Sequence, residues 1–330
     1  MSAPSNASPH TDNGVFFAAF RKHHRRECKN ACSACLVNEQ ALGRAMRRCA
    51  KCQVSFYCSK ECQTRDWPVH KEICGDGGIP KRMRKLAKAL MSCPHIVLQL
   101  QSVFILAFDL LQRPRCDEPL WARVDIAVEP SSMNDLMNIF LRKEPPKDRV
   151  QGMVQINRFI PGTAADVTSP ERIAAWRRQR AQVDSEGYKA DALGMVEMCQ
   201  TDSEFVVAFP LRIPSRMKQI VEAWRDSGCT ITLDSGEETS VPYTVENCLQ
   251  TINMQIRDET RNQLLLRTKM LPSDIQIIRD AATDPQTQTI SALIFHTKLA
   301  REFVYKSIYP ILVQRVRAVS IPPPRINGGR

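Results

Sequence analysis

Residues 57–74, YCSKECQTRDWPVHKEIC, decide the fold of the N-terminal part of this chain. They place Cys58 and Cys62 four residues apart, and His70 and Cys74 four residues apart as well. Residues four apart share one face of an α-helix, so each pair can present two ligands to a metal ion from a single turn. The stretch alone leaves open whether these side chains bind one metal ion, belong to two sites, or bind none.

Two more cysteine pairs lie upstream, Cys32 with Cys35 and Cys49 with Cys52, each at Cys-x2-Cys spacing. A turn of this kind aims two sulfur atoms at one ion, and zinc takes four nitrogen or sulfur ligands in a tetrahedron. Four pairs therefore supply two complete zinc sites, in which no coordination position stays open for catalysis by a bound water. The spacing fits a sequential pairing as well as an interleaved one.

The four pairs, the Tyr57-Cys-Ser segment and the Asp66-Trp67-Pro-Val-His70 segment resemble, in full and in order, the MYND zinc finger over residues 32–74. The resemblance implies two interleaved ligand sets: Cys32, Cys35, Cys58 and Cys62 for one zinc ion, and Cys49, Cys52, His70 and Cys74 for the other. A finger of about 43 residues is too small to fold on its own core, so we expect zinc to supply its folding free energy. Cys28 is left over, and we expect a partly exposed thiol there.

The same resemblance implies a function, because MYND fingers dock short proline-containing peptides that lie extended along the hairpin and against the following helix. The matching positions are the strand Val54–Tyr57 for backbone pairing and the side chains of Tyr57, Gln63 and Trp67. For Trp67, packing within the small core is the alternative.

The composition indicates the compartment of the protein and the class of its partners. Of 13 cysteines, eight lie between residues 28 and 74, a clustering that indicates metal binding in a reducing compartment. No secretory signal opens the sequence, and polar residues interrupt its most apolar stretch, so we expect an intracellular protein of the nucleus or cytoplasm without a membrane span. Residues 1–90 hold 17 Lys and Arg against 7 Asp and Glu, but the basic runs Arg21–Arg26 and Lys81–Lys85 lack interleaved aromatics. Proteins are therefore the expected partners rather than nucleic acids.

We predict four segments: a polar tail with a basic helical lead-in (1–27), the finger (28–75), a larger domain (81–319) and a Pro-rich tail (320–330). In the larger domain, helices and strands are interspersed irregularly, which favours an α+β fold over a doubly wound sheet. Helices are predicted at about 82–111, from Pro170, at 214–226, from Val245 and at 287–317. Strands are predicted around Val124–Val128, at Val154–Asn157 and at Phe205–Ile213.

One alternative function comes from proteins that combine a MYND finger with a SET lysine methyltransferase domain. Gly236-Glu-Glu with Tyr243 resembles a late SET motif, but no Asn-His dipeptide, Gly-rich cofactor loop or Cys-rich post-SET cluster accompanies it. A turn at Asp234–Glu237 between two strands explains the same residues. Residues 81–330 also lack any other local catalytic motif, so the sequence favours a role without catalysis. The later cysteines 93, 116, 199, 229 and 248 are expected to be core residues.

Overall fold

A computed structural model describes residues 30–75, 78–143, 150–162, 170–201, 205–232, 238–283 and 288–320. The predicted tail and lead-in at 1–27, the leftover Cys28 and the Pro-rich residues 321–330 lie outside these ranges. The four segment boundaries therefore stay predictions.

The first part of the described chain is small and loop-rich. In chain order it contains helix α1 (Glu39–Leu42), strand β1 (Arg47–Arg48), strand β2 (Phe56–Tyr57) and helix α2 (Lys60–Ile73). The two strands pair antiparallel. Helix α2 begins directly after Ser59, whose side-chain oxygen accepts a hydrogen bond from the Cys62 amide at 3.2 Å. This cap fixes the start of the helix at Lys60, two residues after Cys58.

The larger part mixes helices with strands. Its helices are α3 (Gly78–Met91), α4 (Pro94–Ala107), α5 (Met133–Phe140), α6 (Pro170–Ser185), α7 (Arg216–Ser227), α8 (Val245–Asp258), α9 (Pro272–Asp280), α10 (Ile290–Arg301) and α11 (Tyr309–Ser320), with a 3-10 turn at Phe303–Tyr305. Its strands are β3 (Leu120–Pro130), β4 (Gln151–Gly162), β5 (Ala192–Cys199), β6 (Val206–Ile213), β7 (Cys229–Thr232), β8 (Glu238–Val241) and β9 (Arg267–Lys269).

Five of these strands form one sheet in the order β6-β5-β3-β4-β9. Strands β3 and β5 are parallel, and every other pair in the sheet is antiparallel. Strands β7 and β8 form a separate hairpin. The predicted α+β fold, a finger followed by a larger mixed domain, is confirmed.

Helices cover both faces of the sheet. On one face, Trp176 of α6 packs with Trp121 and Leu193, and its indole Nε1 donates a hydrogen bond to the Leu193 carbonyl at 3.0 Å. On the other face, Phe104 of α4 lies so close to Gly194 that a Cβ atom there would sit 2.5 Å from its ring. The small glycine therefore sets the depth at which α4 packs, and β5 is buried along its whole length.

A buried polar network joins the sheet to the C-terminal helices. The Lys298 ammonium donates to the Glu129 carboxylate and to Asn157 Oδ1, the latter at 3.0 Å. The Tyr305 hydroxyl donates to Glu129 Oε2 at 2.5 Å and accepts from Arg257 at 2.6 Å. These groups hydrogen-bond to one another inside the core, although Arg257 Nε has no partner among the described residues, and the network is a structural element.

Each predicted helix and strand has a counterpart in the described residues, but two predicted helices are divided, and α5, α9, β5 and β9 were not predicted. The helix predicted at 82–111 is two helices, because Pro94 begins α4 after a break at Ser92 and Cys93. The helix predicted at 287–317 is likewise divided after Arg301. Strand β5 was not predicted, because its residues are buried on both faces and show no alternation.

No single helix among the described residues is long and apolar enough to cross a membrane. Helices α3 and α4 meet that criterion only when taken together, and they are bent by 84° at their junction.

Candidate zinc centre and the adjoining cleft

The first cluster gathers the four cysteines Cys32, Cys35, Cys58 and Cys62, whose sulfur atoms all lie within 4.8 Å of one another. The Cys35 and Cys58 sulfurs are 3.6 Å apart, and those of Cys58 and Cys62 are 3.4 Å apart. Sulfurs on a tetrahedral zinc ion lie about 3.8 Å apart, given a Zn–S bond of about 2.3 Å. The spacing and the soft donors both fit zinc.

The second cluster gathers Cys49, Cys52, His70 and Cys74, all of them buried. The sulfurs of Cys49 and Cys74 lie 3.6 Å apart, and His70 Nε2 lies 3.6 Å from the Cys52 sulfur. The protein therefore has two Cys/His zinc sites, and they are interleaved along the chain as the resemblance implied.

Ser55 orients the histidine ligand. Its Oγ lies 3.2 Å from His70 Nδ1, which directs Nε2 toward the three sulfurs. A hydrogen bond to the second ring nitrogen is a common support for a zinc-bound histidine, because it fixes both the tautomer and the ring angle. Sequence reasoning missed Ser55, since serine between ligands carries no signal of its own.

Both Cys-x2-Cys turns end in the same backbone conformation. Leu36, after Cys35, has φ +57°, and Gln53, after Cys52, has φ +59°. The Leu36 amide donates to the Cys32 carbonyl at 2.8 Å, and the Gln53 amide donates to the Cys49 carbonyl at 3.0 Å. The residue in the left-handed conformation closes each turn, so that both cysteine sulfurs of the turn point toward the same cluster.

The thiols of the clusters differ in their tendency to ionise. Burial opposes ionisation of Cys49, but the Cys52 amide, the His70 ring and the Lys51 amide together lower its pKa to about 6. At Cys58, burial and the neighbouring thiols of Cys62 and Cys35 raise the pKa to about 12. Closely spaced thiolates repel one another, so a divalent cation is needed for a whole cluster to ionise.

The three peptide-contact candidates lie in different environments. Tyr57 is fully buried, and its hydroxyl donates to Asp66 at 2.6 Å, so it can offer a partner only its backbone. Gln63 is half-buried on α2. Trp67 is 44% exposed, and its ring lies 5.9 Å from that of His70. Packing within the small core, the alternative role for Trp67, accounts for the buried part of this side chain but not for the exposed part.

The strand predicted to pair with a peptide is engaged on both sides. Strand β2 pairs with β1 on one side, and on the other the Ser33 amide donates to the Phe56 carbonyl at 2.8 Å. The Ser55 carbonyl accepts from the Cys49 amide at 2.9 Å. Within the described finger, the exposed strand β1 at Arg47–Arg48 is the better placed for an added strand.

Two arginines pack the finger against the larger domain. Arg84 of α3 lies between the rings of Phe56 and Phe205, 4.9 and 5.7 Å from their centroids. Arg178 of α6 donates to the Cys35 carbonyl at 2.7 Å. Arg84 belongs to the basic run Lys81–Lys85, but it lies inside the junction, where burial lowers its pKa to about 10.

A cleft of about 360 Å³ remains between finger and domain, and a second cavity of about 280 Å³ continues it along β6. Both are lined by Ala31, Leu36, Ala208 and Phe209. The cleft was not predictable from local motifs, because its walls come from segments more than 100 residues apart.

The remaining cysteines need a partial correction. Cys93, Cys199 and Cys248 are buried as expected, but Cys116 and Cys229 are only half-buried. Burial therefore does not account for these two. Cys116 donates to the Ala190 carbonyl at 3.2 Å.

The residues that resemble a SET motif belong to a small hairpin. Strands β7 and β8 pair antiparallel on either side of the predicted turn, whose residues 234–237 lie outside the described ranges. Tyr243 is buried, and its ring lies 5.5 Å from that of Trp224. Burial raises the pKa of Tyr243 above its usual value.

Comparison with known proteins separates the two parts of the chain. Residues 31–74 match the family described as MYND finger, and residues 80–305 match the family described as a domain of unknown function (DUF8205). No solved structure matches the chain.

The similar curated proteins resemble the finger segment. A SET and MYND domain-containing protein of Dictyostelium discoideum is 42% identical over 45 residues, which is 13% of this chain and 8% of that protein. N-lysine methyltransferase SMYD2 of Homo sapiens is 40% identical over 45 residues, 14% of this chain and 10% of that protein. The Rattus norvegicus protein of that name is 37% identical over 54 residues, which is 16% of this chain and 10% of that protein. The chain thus covers about a tenth of the relatives that it matches.

Proposed function

The chain belongs to the DUF8205 family and carries a MYND finger before that domain, and we propose that it is a zinc-dependent docking protein for short proline-containing peptides. The peptide lies against the exposed face of α2, with Gln63 and Trp67 as side-chain contacts. The larger domain is the scaffold that holds the finger. The proposal places the protein inside the cell, because the thiolates of both clusters must stay reduced.

The exposure of Trp67 carries this proposal. Trp67 is 44% exposed while its ring packs beside the zinc ligand His70, so the side chain is held in place without being buried. An aromatic ring fixed at a surface suits proline, whose extended conformation is formed before binding and loses little entropy on docking.

A peptide-array experiment on the zinc-loaded full chain tests the proposal. We expect selective capture of proline-containing peptides and a loss of affinity of at least about 30-fold in Trp67→Ala, because tryptophan contacts of this kind are worth about 2 kcal/mol or more. Glu72→Ala is the matched control, since its side chain is 68% exposed on the opposite face of α2. Equal binding by Trp67→Ala and wild type, or no preference for proline, would refute docking at this face.

The names of the relatives supply a second hypothesis, lysine methylation. We rank it below docking because those matches cover the finger and not residues 80–305. Methyl transfer from S-adenosylmethionine to a peptide substrate that disappears in Tyr243→Phe would establish it. A folded, zinc-loaded chain without such transfer would leave docking as the activity.

A further inference from the structure

The cleft between the finger and the larger domain is lined by both parts of the chain. The finger contributes the loop at residues 30–36 and part of α2, and the domain contributes α3, the start of α6 and strand β6. Val69 and Val206 are exposed by 61% and 38% at this cleft. An open, partly apolar cleft of this size suits a segment that brings apolar side chains.

Strand β6 turns its free edge toward the cleft. Among the described strands it is terminal in the five-stranded sheet and has β5 as its one neighbour. The backbone groups of alternate residues face away from β5, and the Gln101 amide donates to the Arg212 carbonyl at 2.8 Å on that side. The backbone of Pro210 faces away from β5 as well, but proline has no amide hydrogen to donate. Val206 and Ala208 are therefore the residues that offer both backbone donors and acceptors to the cleft.

The chain enters this cleft at its own N-terminal side. Asn30 and Ala31 both line it, and residues 1–29 precede them directly. Phe20 comes ten residues before Asn30, so the intervening chain spans up to about 35 Å. Strand β6 is about 26 Å long at 3.3 Å per residue, so the whole cleft is within reach of this segment.

The sequence of that segment matches the cleft in two respects. Val15-Phe-Phe-Ala-Ala-Phe20 is apolar, and Arg21-Lys-His-His-Arg-Arg26 is basic. The cleft adjoins the two zinc clusters. Loaded with Zn²⁺, the cluster of four thiolates carries a net charge of about −2, and the cluster of three thiolates and one histidine carries about −1. The charged side chains that line the cleft balance one another, Arg84, Lys88 and Arg172 against Asp66, Glu171 and Glu197, so the thiolate charge is the net charge beside a basic segment.

We propose that residues 15–26 dock intramolecularly in the cleft between finger and domain. The three phenylalanines cover its apolar rim, and the basic run lies toward the zinc clusters. The segment covers the exposed edge of β6, which would otherwise pair with other chains. This inference stands apart from peptide docking at Trp67 and needs no partner protein.

A photo-crosslinking experiment on the zinc-loaded full chain locates the segment. Benzoylphenylalanine in place of Phe17 is expected to crosslink, within one chain, to peptides that contain Val69 or residues 205–209. The same probe in place of Ala7 is the control and is expected to leave these peptides uncrosslinked. Crosslinks from position 17 that spare the cleft overturn the proposal. Crosslinks to the cleft that join two chains also overturn it and assign the cleft to a second copy.

Hydrogen exchange measures how strongly residues 15–26 protect the backbone amides of β6. The triple variant F16D/F17D/F20D is expected to exchange the Val206 and Ala208 amides at least about tenfold faster than wild type, because charged side chains leave the apolar rim open. The control N6D/T11D/N13D adds the same three charges outside the apolar run and is expected to behave as wild type. Unchanged exchange in the core strand β3 shows that the fold is intact. Equal exchange at β6 in both triple variants overturns the proposal.

Discussion

Replacement of Lys298 by methionine tests the buried network that joins α10 to the sheet. The Lys298 side chain is 0% exposed, contacts Glu129 and Asn157, and lies 3.8 Å from the Glu302 carboxylate. Methionine keeps an unbranched side chain of similar length but removes the positive charge. Arg257 then faces two buried carboxylates alone.

The expected loss is about 3–5 kcal/mol, since removing one partner leaves an uncompensated charge in the core. This corresponds to a fall of about 1–2 M in the urea midpoint, given the large surface that a chain of this size exposes on unfolding. Tryptophan fluorescence of the zinc-loaded protein during urea unfolding measures it.

The loss also depends on pH with a definite sign. Burial raises the pKa of Glu302 above its usual value, and the charge of Lys298 opposes that rise. Without Lys298 the pKa rises further. A carboxyl group with a raised folded-state pKa stabilises the fold below its unfolded-state pKa and loses that contribution as pH rises through the folded-state pKa. The deficit of Lys298→Met is therefore expected to be larger at neutral pH than near pH 4, close to the ordinary pKa of a glutamate in the unfolded chain.

Glu302→Gln in the Lys298→Met background is the matched control. It restores charge balance between Arg257 and Glu129, so we expect it to recover part of the lost stability and to weaken the pH dependence. A Lys298→Met protein within about 1 kcal/mol of wild type would refute the reasoning. A loss of stability that does not change with pH, and that Glu302→Gln does not reduce, would also refute the reasoning.

Three further predictions concern packing and metal binding. Gly194→Ala is expected to cost about 1–3 kcal/mol in thermal or urea unfolding, because the new Cβ would lie 2.5 Å from the Phe104 ring, and Phe104→Leu should recover part of that loss. Ser55→Ala is expected to weaken zinc binding at the His70 cluster by about 10- to 100-fold in a chelator competition, while equal competition in both proteins would deny Ser55 its orienting role. Cys62→Ser is expected to reduce the zinc content from two ions to one in native mass spectrometry, and two retained ions would contradict the assigned ligand set.

The zinc sites were predictable because their information is local. Ligand spacing identified all eight side chains, since each pair lies within one turn of backbone. The spacing did not settle which pairs share an ion, and the interleaved arrangement came from the resemblance. The supporting residue Ser55 and the left-handed Leu36 and Gln53 stayed hidden, because nothing in a single sequence distinguishes them from ordinary surface residues.

In the larger domain, local sequence patterns predicted some helices and strands but not others. Helices with one exposed face carry a clear period, so α7 was predicted close to both of its bounds and α8 at its first residue. Strand β5 is enclosed on both faces, so its sequence contains no alternation to recognise. The position of Arg84 depends on contacts to Phe56 and Phe205, which meet only in the folded chain.

The continuity of the core changes what zinc is expected to do in this protein. Size alone made the finger an independent unit whose folding is its metal binding. In the structure, buried finger residues such as Phe56 and Tyr57 belong to the same apolar core as α3 and α4. The free energy that zinc supplies to the finger therefore also holds Arg84 and Arg178 against their partners. The geometry of the cleft beside β6 is consequently set by both zinc clusters, which contribute Cys32 and His70 to its lining.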